Sequence, residues 1–99
     1  MRAIMELQVL PVGVGNSLSS YVVACERVLT ESGLNPQLHA FGTNVEGEWE
    51  TLVDAVRRCH VVVHQMGAPR VLTLLKLETR SNGNAELSQA VESVRQKMG

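Results

Sequence analysis

Few side chains in this chain are both chemically capable and suggestively spaced. Glu46 carries a carboxylate that can accept from an exocyclic amine and engage a ring nitrogen through a shared proton. The alternative for Glu46 is an acid near a helix N-terminus, favoured by the macrodipole. Thr43 and Asn44 bring hydrogen-bonding groups just before it, or serve only as turn residues. Ser17, Ser19 and Ser20 cluster where a helix should begin. Free N–H groups there favour an anion such as phosphate, and plain capping by Ser17 is the competing reading. Arg70 and Arg80 bracket a strand and can pair with an anion, with Glu46 or with Glu78, or stay solvated. Trp49 can stack on a heteroaromatic ring or simply fill the core.

Other chemistries fail on spacing. His60 and His64 are four apart and would share a helix face, but Val61 follows His60 where the HExxH zinc motif has glutamate. With His39 the only other histidine, no zinc site is expected. Gly13-x-Gly15 lacks the third glycine of a dinucleotide fingerprint. No Ser/His/Asp or Cys/His arrangement is readable at a defined spacing. Cys25 and Cys59 lie far apart without CxxC spacing, and each falls on the apolar side of an expected helix. They read as two buried thiols in a reducing compartment.

These residues need elements to position them. Ala3 to Leu10 alternates as a strand, which Pro11 should end because it has no N–H to donate. Leu18, Tyr21, Val22, Cys25, Val28 and Leu29 recur at helical spacing, with Asn16 or Ser17 as N-cap and Gly33 as the residue after the C-cap. Gln37–Phe41 and Asn44–Glu46 read as a tight hairpin around Gly42-Thr43. A second helix carries Trp49, Leu52, Val53, Val56, Cys59, His60 and Val63 on one side, until Gly67 and Pro69 break it. Arg70 to Arg80 is the longest strand candidate, followed by turn material over Ser81-Asn82-Gly83-Asn84. A last helix places Leu87, Ala90, Val91, Val94 and Met98 on one face.

The order is that of an α+β ferredoxin-like βαββαβ sandwich with an added C-terminal helix, one domain over residues 1–99. Such a sheet has helices on one face only. The long strand alternates Val71, Thr73, Leu75, Leu77 with Leu72, Leu74, Lys76, Glu78, so its bare side carries apolar surface that a monomer does not normally expose. Self-association is expected, with clefts between subunits as ligand sites.

Composition narrows the partners. Nine Lys+Arg against ten Asp+Glu give a net charge of −1, which gathers neither nucleic acid nor anionic membrane. Three aromatic residues, Tyr21, Phe41 and Trp49, do not make a base-stacking platform. No stretch approaches a membrane span, and the N-terminus lacks a signal-peptide pattern, so a cytoplasmic location is expected.

The string Pro11-Val12-Gly13-Val14-Gly15-Asn16-Ser17-Leu18-Ser19-Ser20-Tyr21-Val22 resembles the first motif of the thiamine-binding protein family. His39 with Gly42-Thr43-Asn44-Val45-Glu46-Gly47-Glu48-Trp49 is similar to its second motif, and Cys59-His60, Arg70-Val71 and Glu78-Thr79-Arg80 to the third and fourth. The resemblance spans essentially the whole chain. It departs after His60, where the family more often has an acid. It implies a ferredoxin-like subunit forming homodimers or homotetramers, without established catalysis and without a cofactor. It further implies a ligand, thiamine or its hydroxymethylpyrimidine moiety. On that basis Glu46, Thr43, Ser17, Ser19, Asn44, Trp49 and Arg70 are the candidate ligand-binding residues, at a subunit interface beside Thr43 and Glu46.

Two other classes compete with a binding module. Acylphosphatases share this topology and cradle phosphate after the first strand, but need an Arg in that loop, and residues 13–17 supply none. A purely structural or regulatory oligomer is the third reading.

Overall fold

The computed structural model describes residues 1–83 and 85–99. Seven elements follow one another: β1 (Arg2–Val12), α1 (Ser19–Glu31), β2 (Gln37–His39), β3 (Gly42–Glu48), α2 (Trp49–Gln65), β4 (Arg70–Thr79) and α3 (Leu87–Met98). The strands form one antiparallel sheet in the order β2-β3-β1-β4. This is the ferredoxin-like arrangement, in which each helix crosses over an intervening strand.

Period-two alternation sorts the strands into two faces. Ala3, Met5 and Leu7 of β1 and Thr43, Val45 and Gly47 of β3 are buried beneath α1 and α2. Ile4, Glu6 and Gln8 look the other way, as do Asn44, Glu46, Leu72, Leu74 and Lys76, on what we call the open face. Two apolar clusters hold the helices down. One joins Leu29, Leu52 and Ala55 to the sheet; the other joins Cys25 and Val28 to Cys59, Val63 and Ala68.

Both long helices end on a glycine. Gly33 (φ 82°) donates to Thr30 O, and Leu34 donates back to Leu29 O, closing a Schellman turn that directs the chain into β2. Gly47 serves a different need. A Cβ there would stand 2.8 Å from Leu34 Cδ2, so any side chain at 47 would have to displace the end of that leucine.

Four local expectations change. β1 runs through Pro11 to Val12, pairing Pro11 with Val71, because beyond Leu7 its other edge faces no strand and a missing N–H costs nothing there. The hairpin turns at residues 40–41, so Gly42 and Thr43 belong to β3 and pair with His39 and Leu38. The N-cap of α1 is Leu18, with no side-chain cap from Ser17 or Asn16. Val53 of α2 faces outward while Ala55 takes the buried position. The turn after β4 bends over residues 81–83, and Asn84 lies outside the described residues.

α3 begins over the open face, where Leu87 lines a shallow pocket together with Ile4, Asn44 and Glu78. None of its residues is buried, and Val91, Val94 and Met98 are exposed.

Candidate functional site: a cavity at the free edge of β1

β1 pairs with β3 only from Arg2 to Leu7, but with β4 from Ala3 to Val12. Where β3 stops, α1, the free edge of β1 and the β2–β3 turn enclose a cavity of about 310 Å³. That lies within the rough 300–1,000 Å³ range of small-molecule sites. Leu7, Leu18, Val22, Leu29 and Leu38 make its walls apolar, and Glu26 supplies the one acidic group. Among the described residues no lysine or arginine lines it.

Thr43 and Glu26 meet in this cavity. Thr43 Oγ1 donates to Glu26 Oε2 at 3.0 Å, linking the buried face of β3 to the inner face of α1. Thr43 is only 5% exposed and Glu26 is half-buried. A carboxylate accepts more than one hydrogen bond, so Thr43 orients the group without exhausting it. An apolar slot with one aligned carboxylate suits a flat heteroaromatic ring carrying an amino donor.

The other candidates scatter. Ser17 and Ser19 flank Leu18, which lines the cavity, and both are exposed. Asn44 and Glu46 lie on the open face, opposite Thr43, because one and three residues along a strand both reverse the side. Within one subunit Thr43 and Glu46 therefore face opposite sides of the sheet. Trp49 opens α2 at the far end of the sheet, its N–H bonded to Met1 O and its side chain packed against the core cluster. Arg70 begins β4 as an exposed residue outside the cavity lining.

Asn44 belongs to a polar group on the open face. His39 Nδ1 accepts from the Phe41 N–H at 3.3 Å, which places the ring proton on Nε2, 3.1 Å from Asn44 Oδ1 and 3.4 Å from Glu6 Oε2. Lys76 Nζ reaches the other oxygen of Glu6 at 3.6 Å. The histidines of α2 are separately engaged, His60 with Thr73 and His64 with Ala68 O. Among the described residues no three of His, Cys, Asp or Glu are grouped to hold a metal ion.

The two thiols sit behind the cavity. Cys25 lines it, while Cys59 is fully buried, its Sγ 3.8 Å from Cys25 O. The hydrogen bond from the Cys59 thiol holds the Cys25 thiol below its ordinary range, against the opposing pull of burial and of the Glu26 charge. The same hydrogen bond, reinforced by burial, pushes Cys59 far above it.

Residues 5–95 match the sequence model of the family described as thiamine-binding protein. The chain belongs to that family. The UPF0045 protein sll0230 of Synechocystis is 44% identical over 94 residues, covering 95% of this chain and 78% of that one. A UPF0045 protein of Methanothermobacter thermautotrophicus is 38% identical over 95 residues, covering 94% and 96%. Among solved structures, protein MJ1052 of Methanocaldococcus jannaschii superposes with a TM-score of 0.88 at 24% identity, covering 96% of this chain and 97% of that one. A Thermotoga maritima protein (TM0486), provisionally described as one of thiamine biosynthesis or salvage, gives 0.82 at 20% identity, covering 96% and 100%. At these identities the two structures speak for the fold, and they share it along nearly their whole length. Among the described residues no helix is long and apolar enough to cross a membrane.

Glu26 is the residue that sequence reasoning missed. It follows Cys25 in a helix whose polar side otherwise faces solvent, and no motif marks it. Its one signal is helical spacing: Val22, Glu26 and Leu29 fall on one stripe, which aims an acid along the apolar side.

Proposed function

We propose that the protein binds thiamine, or the hydroxymethylpyrimidine part of it, without transforming it, in the cavity at the free edge of β1. The observation that carries this reading is the Glu26 carboxylate held by Thr43 inside an apolar slot. The 4-amino group of the pyrimidine donates to that carboxylate, and the adjacent ring nitrogen shares a proton with it. The thiazolium cation of thiamine is also favoured beside the one acidic group of the cavity. Membership of the thiamine-binding family, and the provisional description of the Thermotoga maritima neighbour, support the same ligand class.

The binding unit in this reading is a cytoplasmic homodimer or homotetramer. Leu72 and Leu74 are 52% and 54% exposed on the open face, and Val91, Val94 and Met98 of α3 are exposed as well. Gln8 and Leu10 point to that face and also line the cavity, so a copy docked on the sheet closes the ligand site as well. In this assembly Glu46 and Asn44 lie at the contact between subunits rather than against the ligand.

Calorimetric titration with thiamine and with hydroxymethylpyrimidine tests the reading. Saturable heat from the native protein, strongly weakened in Glu26→Gln, is expected. Absence of heat at millimolar ligand removes it.

A further inference from the structure

The chain has two cysteines, and folding brings them together from positions 34 residues apart on different helices. Their surroundings are unequal. Cys25 forms part of the cavity wall and keeps 6% of its surface exposed, whereas Cys59 lies behind it, fully buried between α1 and α2. The Cys59 thiol donates to the Cys25 backbone carbonyl at 3.8 Å, and both side chains belong to one buried cluster between the helices. A lone buried thiol acts as a small apolar side chain. A reachable thiol backed by an unreachable one has the layout of an attacking and a resolving cysteine.

We propose that Cys25 and Cys59 form a reversible oxidation site, in which a small hydroperoxide entering the cavity converts them into a disulfide joining α1 to α2. Two steps balance the reaction. The Cys25 thiolate attacks the terminal peroxide oxygen, the O–O bond breaks, and the product is a sulfenic acid on Cys25 with water or an alcohol released. The Cys59 sulfur then attacks the Cys25 sulfur, the S–O bond breaks, and the hydroxyl leaves as water with the Cys59 proton. The two thiols lose two electrons and two protons, and the peroxide is reduced by the same two electrons. The lowered proton affinity of Cys25 serves the first step, and Cys59 gives up its proton to the departing hydroxyl in the second.

The test is hydrogen peroxide added to the folded, reduced protein, followed by intact mass and peptide mapping. The expected product has lost two hydrogens, has no titratable thiol after denaturation, carries linked peptides containing Cys25 and Cys59, and returns to the starting mass with dithiothreitol. Oxygen addition without linkage, covalent dimers between chains, or no change while free glutathione is consumed would each overturn it. Single variants check the order of events in protein that retains its native circular dichroism. Cys59→Ser accumulates a dimedone-reactive sulfenic acid at Cys25, whereas Cys59 in Cys25→Ser reacts roughly tenfold or more slowly. Equal reactivity of the two would mean that the core opens as a whole, and the cavity route falls.

Discussion

Thr43 Oγ1 and Glu26 Oε2 stand 3.0 Å apart across the cavity, one from the buried face of a central strand and one from the helix above it. The hydroxyl donates its proton to the carboxylate, so the acid is fixed in direction before any ligand arrives. Glu26→Gln keeps the shape but loses the charge and the second acceptor. The expected loss in thiamine affinity is about 10- to 100-fold, on the order of 1.5–3 kcal/mol for a hydrogen bond to a charged group. Glu46→Ala, on the other face of the sheet, leaves direct ligand contacts intact and shifts affinity far less. Calorimetry on the two variants side by side decides it, and the reverse ranking would move the site to the open face.

Thr43→Val replaces the hydroxyl by a methyl of similar volume. Glu26 then loses its orienting donor while the cavity wall stays apolar. Folding stability should drop by about 1 kcal/mol, read from urea denaturation, and affinity should fall several-fold. An affinity loss as large as that of Glu26→Gln would instead mean that Thr43 touches the ligand itself.

The cavity lining holds one carboxylate and, among the described residues, no lysine or arginine. A phosphate ester placed beside Glu26 meets like charge, and His39, the lining residue that can carry positive charge, is already engaged with Glu6 and Asn44. Thiamine monophosphate and diphosphate should therefore bind more weakly than thiamine, with the gap narrowing as salt is raised. Competition titrations measure the order directly. Tighter binding of the phosphorylated forms would point to the uncapped N-terminus of α1, beside Ser17 and Ser19, as an anion site.

Much of this could be read before any coordinates existed. Alternation along Ala3–Leu10 and Arg70–Arg80 separates the two faces of the sheet, and helical spacing from Leu18 to Leu29 marks the buried stripe of α1. What escaped was tertiary apposition. Glu26 becomes a cavity residue only because α1 crosses over β3 at Thr43, and nothing local to either residue announces the other. That Thr43 and Glu46 face opposite sides of the sheet was also hidden, for a local reason. Placing the turn at Gly42-Thr43 took Thr43 out of the strand, and the parity that separates it from Glu46 could not then be applied. Ser17 was expected to cap α1 by residue type, yet the helix starts two residues later and the serine stays in the loop.

The Cys25–Cys59 pair makes a pH prediction whose sign follows from its largest cause. Cys25 is held low by the hydrogen bond from Cys59, while burial and the Glu26 charge push it up. Cys59→Ala removes the lowering cause and leaves the two raising ones. The rate of Cys25 alkylation by iodoacetamide, which follows the thiolate fraction, should then rise only at higher pH than in the Cys59-containing protein. A profile that stays in place, or moves to lower pH, would show that the hydrogen bond does not control the thiol.

Leu74 tests whether assembly and binding share a surface. It is exposed at the middle of β4 on the open face, paired with Gln8, whose side belongs to both that face and the cavity lining. A carboxylate there would be desolvated in any sheet-to-sheet contact and repelled by its symmetry mate, a cost of several kcal/mol, while its same-face neighbour Lys76 is already paired with Glu6. Leu74→Glu should leave the subunit folded, since the residue touches no core cluster, and should lower the mass seen by light scattering to that of one chain. Its melting temperature should lose the concentration dependence expected of an oligomer. Thiamine affinity should fall with assembly if, as proposed, a second copy closes the cavity beside Gln8 and Leu10. If the monomeric variant binds as tightly as the native protein, the site is complete within one chain, and the open face serves association alone.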